Sequence, residues 1–238
     1  MLLSIRGLLV GFILISATAS VAADNSFSAF QATYDLFRDD KQVGESFFLT
    51  EKTDDRIDMQ MITKPGGLYA LITSQRPVTE STLIHTKGDF HLSEVRISVN
   101  RNLDPAEHAV FDWQKSLLTV NRNREQRQLP LSEEVYDYLS IHWLAAQMSL
   151  ADADRYQLKF YRKGKLRDST LTRTGTEILE IGGRKINTTT FEHTFKISSR
   201  QLKYHYDQKN PWLPVRIERT RKGKKKTVLL LKSVVTND

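Results

Sequence analysis

From residue 30 onward, apolar and polar residues alternate in short runs broken by turn-forming residues, and this period of two constrains the fold more than any other feature. Successive side chains of a strand point to opposite faces, so each such run buries one face and pairs with its neighbour in an antiparallel sheet. Residues 30–37 (FQATYDLF) and 44–52 (GESFFLTEK) read as a hairpin, followed by 56–63, where Ile57, Met59 and Met61 alternate with polar residues. Further strands are expected at 68–73, 78–85, 94–100, 109–113, 116–121, 156–161, 169–174, 176–181, 186–197, 200–207, 214–220 and 227–235.

One segment breaks the pattern. Residues 131–150 (LSEEVYDYLSIHWLAAQMSL) place Val135, Leu139, His142, Trp143, Ala146 and Leu150 on one helical stripe. Ser132 is the expected N-cap, with Glu133 and Glu134 in the first turn, where the helix dipole favours acids. The expected fold is therefore mainly β. It is a single antiparallel, strongly curved sheet or incomplete β-barrel with one helix inserted between two strand groups.

Residues 1–23 have the three parts of a secretory signal: Arg6, the apolar run 8–15 (LLVGFILI), and the small-residue stretch 16–23. Cleavage fits after Ala23, with Val21 two residues before it, or after Ala22, with Ser20 in that place. The apolar run falls well short of the roughly 20 residues that cross a bilayer as a helix. The expectation is a cleaved signal peptide, a single β-rich domain over residues 24–238, a periplasmic location, and no transmembrane segment in the mature chain. The chain contains no cysteine, which excludes disulfides, thiolate metal sites, a catalytic thiol and a lipoprotein anchor.

Catalytic chemistry finds little support. The histidines His85, His91, His108, His142, His193 and His205 have no metal-ligand spacing, and no nucleophile elbow or phosphate-binding loop is present. His193 shares a strand face with Phe191 and Phe195 and is expected to be partly buried and hydrogen-bonded, as is His142 on the helix stripe. Among the carboxylates, Asp112, Asp137 and Glu177 leave a paired-acid hydrolase as the last-ranked reading. No catalytic residue, metal or cofactor is expected.

The formal net charge is +7, which favours anionic partners. The basic residues concentrate in Arg219, Arg221, Lys222, Lys224, Lys225 and Lys226. This run reads either as a contact for anionic lipid or an acidic partner, or as a solvated hairpin turn around Gly223 whose lysines guard a strand edge. It has no interleaved aromatics, which argues against nucleic acid.

Five segments, in order, are Thr79-Glu80-Ser81, Phe111-Asp112-Trp113, Asp137-Tyr138-Leu139-Ser140, Gly175-Thr176-Glu177 and Leu213-Pro214-Val215-Arg216-Ile217. Together they resemble the exported proteobacterial family catalogued as domain of unknown function 3108. The resemblance implies one β-rich periplasmic domain and carries no catalytic residue with it. Two roles fit: a non-enzymatic envelope protein holding an apolar or amphipathic ligand, such as a lipid, in a curved sheet closed by the helix, or an interaction module in envelope assembly.

Overall fold

The computed structural model describes residues 29–67, 69–86, 88–100 and 105–236, so the expected leader lies outside the described residues. The strands before the helix are β1 (Phe30–Arg38), β2 (Lys41–Lys52), β3 (Arg56–Pro65), β4 (Pro77–Thr86), β5 (Asp89–Val99), β6 (Glu107–Asp112), β7 (Leu117–Arg122), β8 (Glu125–Pro130) and β9 (Val135–Tyr136). After it come β10 (Arg155–Arg162), β11 (Lys165–Ile181), β12 (Arg184–Phe195), β13 (Ser198–Asp207), β14 (Pro214–Arg221) and β15 (Thr227–Thr236). A single helical turn, α1 (Tyr69–Ile72), follows β3, and α2 (Ile141–Leu150) separates β9 from β10.

All fifteen strands form one sheet in the order β8-β7-β6-β5-β4-β3-β2-β1-β15-β14-β13-β12-β11-β10-β9. The chain starts in the middle of the sheet, runs out to one edge, jumps to the other, and returns until β15 pairs with β1. Neighbours are antiparallel except β9 and β10, which run parallel through Val135 and Tyr136. The expected wholly antiparallel sheet is thus corrected to a mixed one. The jump from β8 to β9 reverses the strand sense at that edge.

Inward-facing residues alternate as the sequence predicts: Phe30, Ala32 and Tyr34 on β1, Phe48 and Thr50 on β2, Ile57 and Met59 on β3 are all buried. Two glycines permit the bends. At Gly44 a side-chain carbon would lie 2.2 Å from the Lys64 carbonyl oxygen, so only glycine lets β2 and β3 approach this closely. Gly175, at a φ of +129°, sits at the register shift inside β11, which turns the expected strands 169–174 and 176–181 into one bent strand of 17 residues.

The helix differs from expectation in extent and surroundings. Only its second half is helical, because Val135 and Tyr136 are held as a strand and residues 137–140 turn the chain. Ser132, Glu133 and Glu134 precede that strand and cap nothing. Ile141, His142, Trp143, Leu144, Ala145, Ala146 and Met148 are all buried, so α2 is enclosed on nearly every side and not amphipathic. It fills the space inside the curved sheet, where Trp143 stacks on Trp212 at 5.3 Å and meets Phe90 at 5.0 Å. A ligand chamber closed by this helix is therefore replaced by a packed aromatic interior. The expected strand at 68–73 is also corrected: 69–72 form α1, and Leu68 lies outside the described residues.

The two ends of the sheet do not join through backbone hydrogen bonds; side chains hold them together. Glu107, 4% exposed, accepts hydrogen bonds from the Tyr161 hydroxyl (2.8 Å) and the Gly164 amide (3.2 Å), and pairs with Arg122 at 2.7 Å. Phe111 meets Tyr161 edge-on at 5.4 Å, within a second core that includes Leu118, Val120, Leu131 and Val135. Glu107→Ala strands the buried Tyr161 hydroxyl and is expected to cost about 2 kcal/mol, measured by urea unfolding.

Candidate functional site

Four inward-facing stripes end in arginine at the same mouth of the curved sheet. On β1 the stripe is Tyr34-Leu36-Arg38, on β10 Leu158-Phe160-Arg162, and on β14 Val215-Ile217-Arg219; on β13, which runs the opposite way, Tyr204-Leu202-Arg200. The strand directions bring these ends together: β10 and β14 are each antiparallel to β13 in sense, and β1 runs the same way as β14. Arg167, on β11 beyond Leu171 and Ser169, lies at the same end.

An open groove of about 530 Å³ occupies this mouth. Arg38, Arg200, Arg219, Arg221, Lys224 and Lys225 line it, and no carboxylate does so among the described residues. Its apolar walls are Leu36, Val43, Pro65 and Pro77, with the hydroxyls of Thr63, Thr73, Thr220 and Thr227 between them. Arg200 donates to the Tyr138 hydroxyl, and Arg219 to Thr227 Oγ1 at 3.3 Å. Burial lowers the pKa of Arg219, and Arg200 and Arg38 lower it further. Burial likewise lowers that of Arg162, with Arg200, Arg167 and Arg219 adding to the effect. Tyr138 opposes the shift in both cases. The mouth holds excess positive charge that an anion would relieve.

The six basic residues singled out in the sequence divide. Arg219, Arg221, Lys224 and Lys225 line the groove, and Lys225 also approaches Asp39 at 3.4 Å. Lys226 is drawn away to Glu218 at 2.5 Å, and Lys222 is exposed outside the lining. The run does form the turn around Gly223, but β14 and β15 are paired on both sides, so its lysines guard no sheet edge. Arg38, Arg162 and Arg200 were missed in the sequence. Their signal is an arginine continuing an inward apolar stripe at the strand end, readable only once strand directions are known.

Beneath the mouth, the turn before α2 is fixed by Asp137. Its Oδ2 accepts from Ser81 Oγ (2.6 Å), and its Oδ1 accepts from the Ser140 amide (2.9 Å), Ser140 Oγ (2.7 Å) and the Leu139 amide (3.3 Å). Ser140 Oγ in turn accepts from the Asp137 amide at 2.8 Å. This hydrogen-bonded turn places Tyr138 beside Arg200, and it joins the Thr79-Glu80-Ser81 and Asp137-Tyr138-Leu139-Ser140 segments in space. Burial raises the Asp137 pKa, with these hydrogen bonds opposing.

The other candidates have local duties. Asp112 holds Lys115 at 2.8 Å, and Glu177 holds Lys203 at 2.7 Å, so the three acids named in the sequence are engaged separately. His142 Nδ1 shares a hydrogen bond with the Tyr206 hydroxyl at 2.6 Å. His193 corrects its expectation: it is wholly buried between Phe160 and Phe195, and neither ring nitrogen meets a hydrogen-bond partner among the described residues. No group of three or more metal-ligating side chains occurs among the described residues.

An open, curved sheet wrapped around a helix defines a β-barrel-like protein. The crystal structure of a beta-barrel-like protein of domain of unknown function DUF1849 from Brucella abortus is similar over 89% of this chain and 99% of that one, with a TM-score of 0.59 and 10% identity. The MucA/MucB complex structure from Pseudomonas aeruginosa aligns over 90% of this chain and 54% of that chain, with a TM-score of 0.37 and 11% identity. No curated protein matches the sequence. Residues 30–229 match the family described as protein of unknown function (DUF3108), and the chain belongs to that family.

Proposed function

We propose that this protein is a non-enzymatic binder of an anionic, amphipathic ligand, exported by its leader to work in the periplasm as a component of the cell envelope. The observation that carries the reading is the arginine mouth: inward stripes from β1, β13 and β14 end in guanidinium groups that line a groove with apolar walls, and the β10 stripe ends in Arg162 at the same end of the sheet. The headgroup meets Arg38, Arg200 and Arg219, while the apolar part lies against Leu36, Val43, Pro65 and Pro77. Arginine suits this task because its planar fork bonds phosphate and carboxylate oxygens in pairs. The packed interior keeps the ligand at the mouth.

The test uses residues 24–238 purified from periplasm, by native mass spectrometry with lipid extraction, then by vesicle binding. Phosphatidylglycerol vesicles are expected to bind and phosphatidylcholine vesicles to bind far less. Arg200→Glu with Arg219→Glu is expected to weaken phosphatidylglycerol binding by about thirtyfold or more, two desolvated charge-assisted contacts being lost and reversed. Equal binding of both vesicle types, or an unchanged affinity in the double variant, would remove the proposal.

A further inference from the structure

The seam between the two sheet edges has the features of a second binding surface. On one wall β8 is an edge strand, with β7 as its only sheet neighbour among the described residues. The two-residue turn Asn123-Arg124, both at positive φ (52° and 64°), makes Arg122 and Glu125 the hydrogen-bonded pair of this hairpin. Bonded and non-bonded pairs alternate along an antiparallel ladder, so Arg127 and Leu129 also bond toward β7. The Leu131 amide, which donates to the Ser116 carbonyl at 2.9 Å, fits the same parity. Gln126 and Gln128 therefore turn their N–H and C=O groups away from the sheet. On the other wall stand the β10–β11 hairpin and the end of β12.

The gap between these walls is an open groove of about 620 Å³. Leu129, Leu166, Phe195 and Ile197 give it apolar surface, and Ile197 is 86% exposed. Its charges do not balance. Glu133 and Asp168 are both taken up by Lys159, at 3.6 and 2.5 Å, and Arg127 pairs with Glu125 at 2.6 Å. Lys165 and Arg167 form no ion pair among the described residues, Lys196 shares Asp168 with Lys159 only through its longer-range charge, and the Arg167 Nε is buried with no hydrogen-bond partner there.

We infer that the seam receives an extended acidic segment of another protein, which adds to β8 as a strand. Backbone bonds to Gln126 and Gln128 set its register, apolar side chains meet Leu129, Phe195 and Ile197, and carboxylates meet Lys165, Arg167 and Lys196. A second copy of this chain fits less well, since its own β8 edge carries the same basic neighbours. Pro130 ends the free edge, which limits the added strand to a short one.

The experiment is fluorescence anisotropy with the protein of residues 24–238 and two labelled heptapeptides, Thr-Val-Glu-Val-Glu-Val-Thr and the same peptide with lysine for glutamate. The acidic peptide is expected to bind about tenfold or more tightly than the basic one, by charge complementarity. Lys165→Glu with Lys196→Glu, both exposed positions, is expected to reverse that preference. Gln128→Pro removes an outward N–H and is expected to weaken the acidic peptide about tenfold while the thermal midpoint holds. The Arg200→Glu, Arg219→Glu protein is expected to bind the peptide normally, so the seam and the mouth are tested apart. Equal binding of both peptides, or self-association of the protein that excludes the acidic peptide, would overturn the inference.

Discussion

Replacing Asp137 with alanine is expected to lower the unfolding free energy by about 4 kcal/mol, at the upper end for a single substitution. The carboxylate is 2% exposed and accepts from two hydroxyls and two amides. Its removal leaves the Ser81 and Ser140 hydroxyls and the Leu139 and Ser140 amides buried without that acceptor. Each stranded buried polar group accounts for about 1–3 kcal/mol before the site relaxes. Asp137→Asn keeps an acceptor oxygen and is expected to cost less than half as much. Urea unfolding at neutral pH measures both. A midpoint shared by Asp137→Ala and the unaltered protein would mean that α2 is positioned by packing alone. The loss should also reach the mouth, because the same turn holds Tyr138 against Arg200.

Acid is expected to unfold this protein earlier than its surface carboxylates would. His142 and His193 are buried in the aromatic interior, and burial pushes the pKa of each down to about 3. In the unfolded chain they titrate near 6.5. The unfolded state therefore binds the extra protons, and stability present above pH 6.5 is lost as the pH falls toward the folded values. At pH 4 the loss is about 3 kcal/mol for each histidine. His205, buried on the outer face near Glu177 and Glu218, acts in the same direction, burial bringing it to about 4. Asp137 acts oppositely, because its raised pKa favours the folded state as acidity increases. The lowered carboxylates, Glu218 and Asp58 among them, contribute only at lower pH.

His193→Phe separates the histidine contribution from the carboxylates. The ring stands among Phe160, Phe195 and Tyr204, so phenylalanine suits the site, and the variant is expected to be as stable at pH 7 and more stable at pH 4. Urea midpoints at pH 7, 6, 5 and 4 give the slope directly. A flat profile down to pH 5 in the unaltered protein would show that the interior admits the charged imidazoles.

Much of the fold was legible because most strands bury one face only. Strands β1, β3, β10, β12 and β13 carry apolar residues at alternate positions over much of their length, and a period of two is visible without any tertiary knowledge. Strand β8 was invisible for the opposite reason. As an edge strand with mostly exposed side chains, Glu-Gln-Arg-Gln-Leu-Pro has no buried face to write into the sequence. Residues 131–140 misled because Val135, Tyr136 and Leu139 face two different cores, and their spacing imitates one helical stripe. The basic run was found by charge density, yet only part of it faces the groove. The arginines that complete the mouth are scattered over some 180 residues, and only the pairing of strands collects them.

The pairing of β1 with β15 joins two half-sheets in the middle of an open sheet, through the last of the described strands. Phe30 lies opposite Thr236, and the ladder between them is the one contact that joins the strands before α2 to those after it in mid-sheet. Until residues 227–236 are available, the first eight strands have no neighbour on that side, and the Phe30, Ala32 and Tyr34 stripe stands at an open edge. Each half is then a curled ribbon with a further raw border, the kind of surface that sticks to its own copies. A chain delivered N-terminus first must hold that border unsatisfied across nearly its whole length. Assembly of this molecule therefore turns on joining two halves, with its hazard concentrated in the interval before β15 arrives.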